Sequence, residues 1–216
     1  MSKRATKYIR YLMQATMLLC SCSAFVYANS QESNSVSKNK AADVRVLIDV
    51  SGSMKQNDPR NLRRPAIELL LQLLPQQSRA SVWTFAQYVN MLVPHAVVND
   101  NWRSAAKQRS RLINSVGLKT NIGEALEKAN YDADARLFPT SENYNKSIIL
   151  LTDGVVDIEA SPEKNDAERS RIVDQLLPEL KRAKVKVHTI ALSTNADVEL
   201  LEALSEGTDG LFAVAE

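Results

Sequence analysis

Apolar residues recur along this chain at two spacings, and the two alternate. Residues 42–50, 79–86, 146–152, 185–192 and 211–215 are short apolar runs of the length of β-strands. The run Ser147-Ile148-Ile149-Leu150-Leu151 is the most continuous of them, the pattern of a central strand covered on both faces. Residues 89–93 read as a short antiparallel partner of the second strand, closed by Pro94. Between these runs the period changes. Leu62, Pro65, Ala66, Leu69, Leu70 and Leu73 repeat at helical spacing up to Pro75, and Asp58-Pro59 reads as an N-cap with Pro at the first helical position. Further helices are expected over 101–116, 124–135, 165–183 and 197–205. Strands alternating with helices of roughly 10–15 residues specify an α/β fold. The expected form is a doubly wound, mostly parallel central sheet with one short antiparallel edge strand and helices on both faces. Ligands of such sheets sit beyond the carboxyl ends of the strands.

The ends of the pattern are different. Lys3, Arg4, Lys7 and Arg10 precede a largely apolar stretch, residues 11–27, and Val26-Tyr27-Ala28 offers small residues before a cut. Residues 1–28 therefore read as a signal peptide, with an uncleaved anchor as the rival reading. Leu19-Cys20-Ser21-Cys22 also faintly resembles a lipoprotein signal. Residues 29–41 are mostly Ser, Asn, Gln and Lys and read as a flexible linker; residues 42–216 form the domain.

The leader changes the meaning of the composition. Both cysteines, Cys20 and Cys22, lie inside it, so a chain cut after Ala28 has no thiol for a disulfide or a thiolate metal site. The 216 residues carry 27 Lys and Arg against 25 Asp and Glu; without the leader's four basic residues the net charge moves from +2 to −2. With no basic block interleaved with aromatics, no nucleic-acid partner is expected. The expected location is the periplasm or cell envelope. Membrane contact would come only through an uncleaved signal, lipidation or a further C-terminal region.

The candidate chemistry begins where the first strand ends, in Val46-Leu47-Ile48-Asp49-Val50-Ser51-Gly52-Ser53-Met54. Alternate residues of an extended segment share a side, so Asp49, Ser51 and Ser53 converge as the strand gives way to a loop. Three hard oxygen donors suit Mg²⁺ or a similar ion far better than zinc. Two later segments join them: Gly117-Leu118-Lys119-Thr120-Asn121-Ile122-Gly123, a hydroxyl just before a helix, and Leu150-Leu151-Thr152-Asp153-Gly154.

Together these segments resemble the von Willebrand factor A (VWA) domain family and its metal-ion-dependent adhesion site, over about residues 42–216. The resemblance implies a Rossmann-like VWA fold. It implies that Ser51 and Ser53 coordinate Mg²⁺ directly, and that Asp49 and Asp153 act mainly through water or hydrogen bonds. Thr120 would be direct or water-mediated; Mn²⁺ or Ca²⁺ also fits. The sixth position is then left for an Asp or Glu carboxylate of a partner protein. Two features depart from the family pattern: Leu118-Lys119 intervene between Gly117 and Thr120, and the chain ends with its last strand. Lys119 is expected to face solvent.

The function expected is an exported, non-enzymatic adhesion or envelope-assembly module. A structural domain with an idle site, or a metal-dependent hydrolase, is the alternative. The enzyme reading has specific obstacles. A haloacid dehalogenase type of phosphotransferase needs Asp where Ser51 stands, Ser51-Gly52-Ser53-Met54-Lys55 is no nucleophile elbow, and no Gly-rich phosphate loop occurs. His188 alternates with apolar neighbours and reads as structural. The basic residues 103–111 read as a solvated face, and Trp83, Phe85 and Trp102 as core anchors.

Overall fold

The computed structural model describes residues 40–130 and 144–215. The expected signal peptide, nearly all of the expected linker and the last turn of the helix expected over 124–135 lie outside the described residues. Among the described residues no helix is long and apolar enough to cross a membrane.

Six strands form one sheet: β1 (Ala41–Asp49), β2 (Arg79–Phe85), β3 (Val89–Val97), β4 (Tyr144–Thr152), β5 (Val185–Ala191) and β6 (Phe212–Val214). Their spatial order is β3-β2-β1-β4-β5-β6, and every pair is parallel except β2 with β3. The helices are α1 (Met54–Asn57), α2 (Arg63–Leu73), α3 (Asp100–Ser110), α4 (Ile122–Asn130), α5 (Pro162–Arg171), α6 (Leu177–Arg182) and α7 (Val198–Gly207).

Alternation along the strands splits the core in two. Leu47, Phe85, Ile148, Leu150 and Val187 point to one face and pack with Ile122 and Leu126 of α4, Leu180 of α6, and Leu200 and Leu204 of α7. Val46, Ile48, Val82, Ile149 and Leu151 point to the other, against Ile67, Leu70 and Leu71 of α2 and Trp102 and Ala106 of α3. Both faces of β1 and β4 are thus covered, which is why their sequences are continuous apolar runs. Full burial of one such aliphatic side chain stabilises the fold by about 1.5–3 kcal/mol.

The chain leaves β1 toward β2 on one side, while β4 and β5 build on the other. The crevice between the carboxyl ends of β1 and β4 is therefore a topological switch point, the usual ligand position in this architecture. It is the place that matters below.

Four sequence expectations shift. Asp58 does not cap a helix starting at Pro59: α2 starts at Arg63, and the Asp58 carboxylate accepts from the backbone N–H groups of Leu62 and Arg63, at 2.7 and 3.1 Å. The antiparallel edge strand does not stop at Pro94. β3 runs nine residues to Val97, because it lies at the sheet edge and its register shifts opposite Ala80–Val82, where a missing N–H is tolerated. The helix expected to reach residue 116 ends at Ser110. The long helix over 165–183 contains a π-turn, Ile172–Leu176, just before Pro178. Proline there removes an intrahelical donor, and the wider turn absorbs the mismatch.

The aromatic expectations hold. Phe85 and Trp102 are buried and Trp83 packs against the first core cluster. Arg103 in the basic segment is more than solvated. Its guanidinium donates to the carbonyls of Leu71, Gln72 and Leu74, closing the C-terminal end of α2.

Candidate metal centre

Asp49, the last residue of β1, forms the floor of the switch-point crevice and is fully buried. Its Oδ1 accepts from the Ser51 backbone N–H at 2.8 Å, which turns the chain away from the strand direction. Its Oδ2 accepts from the Thr152 hydroxyl at the end of β4, at 2.6 Å. Burial pushes the Asp49 carboxyl up to about 6, against the hydrogen bonds from Ser51 and Thr152, and the Asp153 charge adds to the rise. In its ionised form a carboxylate held this way is stabilised by a nearby positive charge.

The hydroxyls stand above it. Ser51 Oγ lies 2.9 Å from Ser53 Oγ, and Ser53 Oγ donates to Asp153 Oδ1 at 2.9 Å. Ser53 is the residue before α1, yet its hydroxyl makes no cap bond, which leaves it for this chain of oxygens. Ser51 and Asp153 are buried while Ser53 is exposed, so the cluster opens to solvent at Ser53.

Thr120 comes from the third loop. Gly117 forms a bridge with Ser51, and a Cβ added at Gly117 would lie 2.2 Å from Ala86 Cβ. Only glycine lets this loop come so close to the strand ends. Thr120 then pairs with Asp157 through two backbone hydrogen bonds, of 2.8 and 3.1 Å. Its Oγ1 lies 3.6 Å from where a Cβ on Gly154 would stand. The cap of α4 is Asn121 rather than Thr120: Asn121 Oδ1 accepts from the Glu124 N–H, and its Nδ2 donates to Glu124 Oε2. The Thr120 side chain is thereby available to the crevice. Lys119, expected in solvent, is half-buried and bonds Asp157 Oδ1 at 2.8 Å. That carboxylate keeps its charge out of the crevice.

All five residues singled out from the sequence thus meet at one crevice. Others there were missed. Asn57, at the end of α1, donates to Asp153 Oδ2 at 2.8 Å and so aims the other oxygen at Ser53. A four-residue helix has too little periodicity to be read from sequence. Thr152 binds Asp49, and Ser193 Oγ donates to the Asp153 carbonyl at 2.7 Å. Beneath them Arg63 is fully buried. It pairs with Asp58 at 2.9 Å and donates to the Asp49 carbonyl and to Ser115 Oγ, tying the first and second loops together. Nothing in the sequence distinguishes it from Arg60 or Arg64.

The donor set can be tested against a divalent ion. Among the described residues no three His, Cys, Asp or Glu form a metal-ligating group, so the donors at the crevice are mainly hydroxyls. Adjacent ligands on an octahedral Mg²⁺, with bonds of 2.0–2.1 Å, stand about 2.9 Å apart. The Ser51 and Ser53 hydroxyl oxygens have that separation, and Asp153 Oδ1 stands one hydrogen bond beyond them. These residues fit such an ion.

Comparison with known proteins supplies the family. No curated protein sequence matches the chain. Solved structures do, at low identity. A von Willebrand factor type A protein from Catenulispora acidiphila superposes with a TM-score of 0.64 at 18% identity, covering 81% of this chain and 38% of that one. Proximal thread matrix protein 1 from the mussel byssus, with a zinc-occupied MIDAS motif, gives 0.58 at 22% identity, over 84% of this chain and 43% of that one. An aerotolerance-related membrane protein from Bacteroides fragilis NCTC 9343 gives 0.59 at 14% identity, over 82% and 92%. The family model for the von Willebrand factor type A domain matches residues 43–216. It begins two residues into β1 and leaves no strand of the sheet outside it, and the chain belongs to the von Willebrand factor type A domain family.

Proposed function

We propose that this chain is an exported, non-catalytic binding module that holds Mg²⁺ at Asp49, Ser51, Ser53, Thr120 and Asp153 and engages an Asp or Glu of a partner protein. The observation that carries the reading is the run of oxygens from Ser51 through Ser53 to Asp153, spaced at 2.9 Å and open to solvent at Ser53. When bound, the ion supplies a positive centre with a coordination position free for an outside oxygen. The chain's own groups set how strong that centre is. Ser51 and Ser53 present neutral hydroxyls, while Asp49 is engaged by Ser51 and Thr152 and Asp153 by Ser53 and Asn57. Neutral ligands leave more of the ion's charge for a partner's carboxylate than direct carboxylates would. Mn²⁺ or Ca²⁺ suits the same donors.

Two further points support the reading. Neither histidine lies at the crevice: His95 bonds Asp43 at the start of β1, and His188 lies in mid-β5, where burial and the Lys186 charge lower its pKa. Export rests on the basic and apolar leader, and one structural relative is described as a membrane protein.

Calorimetric titration of the purified protein with Mg²⁺, Mn²⁺ and Ca²⁺ tests the site. Ser53→Ala, at an exposed position, should weaken binding at least about tenfold and leave the thermal melt in EDTA unchanged. Equal affinity in the variant, or no heat from the wild type, would refute it.

A further inference from the structure

The crevice is ringed by apolar side chains that no core demands. Leu118 is 78% exposed, Tyr88 72%, Val116 67% and Val155 52%. Single exposed apolar residues are ordinary, but several around one opening mark a contact surface.

Their places follow from backbone contacts. Val116 and Leu118 flank Gly117, which bridges to Ser51. The Leu118 N–H donates to Gln87 Oε1 at 2.7 Å, which sets Tyr88, the next residue, beside the same loop. Val155 follows Gly154, against which Thr120 packs, so it borders the crevice from the β4 side. Thr120 bridges antiparallel to Asp157, so Leu118, two residues before the one, and Val155, two residues before the other, lie on opposite sides of that bridge. Between them lies the Lys119–Asp157 ion pair, which adds no net charge to the rim. On the remaining side Lys55 is exposed on α1, two residues past Ser53.

We propose that this rim selects the partner: an acidic residue flanked on both sides in sequence by bulky apolar side chains, which seat on Leu118 and Val155 while the carboxylate enters between them. The proposal rests on the metal-binding reading above and deepens it. Charge complementarity fixes the centre of the ligand as acidic, since a metal held as above is cationic and Lys55 is exposed two residues past Ser53. The two apolar walls fix its neighbours. A ligand with polar neighbours would leave Leu118 and Val155 facing water in the complex and gain nothing from them.

The test uses immobilised heptapeptides, Gly-Gly-x-Asp-x-Gly-Gly, with Ser, Lys, Leu or Phe at both x positions, probed with the labelled full chain in Mg²⁺ and in EDTA. A double variant, Leu118→Ser with Val155→Ser, is run beside the wild type, and Mg²⁺ binding of both is followed by calorimetry. Wild type should prefer the Leu and Phe peptides over the Ser peptide by about tenfold or more, only in Mg²⁺. The double variant should bind Mg²⁺ as before and lose the preference.

Metal-dependent capture without a preference, or a preference that survives the double variant, overturns the rim and leaves the metal-binding reading intact. Absence of Mg²⁺ binding in the wild type overturns both. Metal-dependent dimers that the double variant abolishes would show that a second copy occupies the rim, and would also overturn the proposal. Melting curves in EDTA establish that the variant folds; if it does not, Leu118→Ser alone is used, with half the preference lost.

Discussion

Asp49 offers a quantitative test of how the crevice is built. Its carboxyl is fully buried and its pKa is raised by that burial from 3.8 to about 6. The sign follows from proton binding. Between pH 4 and 6 the folded state holds the proton more tightly than the unfolded chain, so stability falls as pH rises and the whole loss is present above pH 6. At 1.36 kcal/mol per unit, the shift amounts to about 3 kcal/mol. For a domain of this size that is about 6–12 °C in Tm. Asp49→Asn keeps the shape and removes the titration. In EDTA, the variant should be more stable than wild type by about 3 kcal/mol at pH 7.5 and by only about 1 kcal/mol at pH 4.5. In Mg²⁺ the advantage at pH 7.5 should shrink or reverse, because the ionised carboxylate is then compensated. Taking the difference between the two proteins cancels the other groups that burial or pairing shifts, Asp43, Asp197 and His188 among them. Urea denaturation across this pH range is the assay. A difference that does not change with pH, or a variant less stable in EDTA at pH 7.5, would refute the reasoning.

Three other expectations rest on single contacts. Asn57→Ala releases Asp153 Oδ2 and should weaken Mg²⁺ binding by about 10–100-fold in calorimetry with little change in the urea midpoint; unchanged affinity would remove Asn57 from the site. Arg63→Met leaves the buried Asp58 carboxylate without its partner and should lower unfolding free energy by about 3–5 kcal/mol. A loss below about 1 kcal/mol would mean that Arg63 does not bear on the loops. Gly117→Ala brings a methyl group against Ala86 Cβ and should destabilise by about 1–3 kcal/mol and weaken metal binding by displacing the Thr120 loop, both measurable in one denaturation series with and without Mg²⁺.

The fold was legible because its cause is local. Apolar runs over β1, β4 and β5 need cover on two faces, and each is followed by a helical pattern that can give it. Boundaries were less so where one residue type serves two ends. Asp58 before Pro59 looks like a cap, and it does cap, but for the backbone of Leu62 and Arg63 four and five residues on. Pro94 looked like a strand end, although an edge strand with shifted register accepts it.

By itself the sequence determined the alternation of elements and the three oxygen-bearing loops, because side-chain period and strand-end position are properties of the local chain. It also held the apolar residues of the rim, without saying that they share one. Tertiary structure alone decided that β1 and β4 are neighbours, and hence that Ser53 and Asp153, 100 residues apart, come within 2.9 Å. It alone decided that Asn57 aims Asp153, that Arg63 ties the loops from below, and that Lys119 is neutralised by Asp157. The physical reason is that these are long-range pairings between groups whose neighbours in sequence carry no trace of the partner. Local pattern fixes which way a side chain leaves its strand, whereas the packing of the whole sheet fixes what it meets.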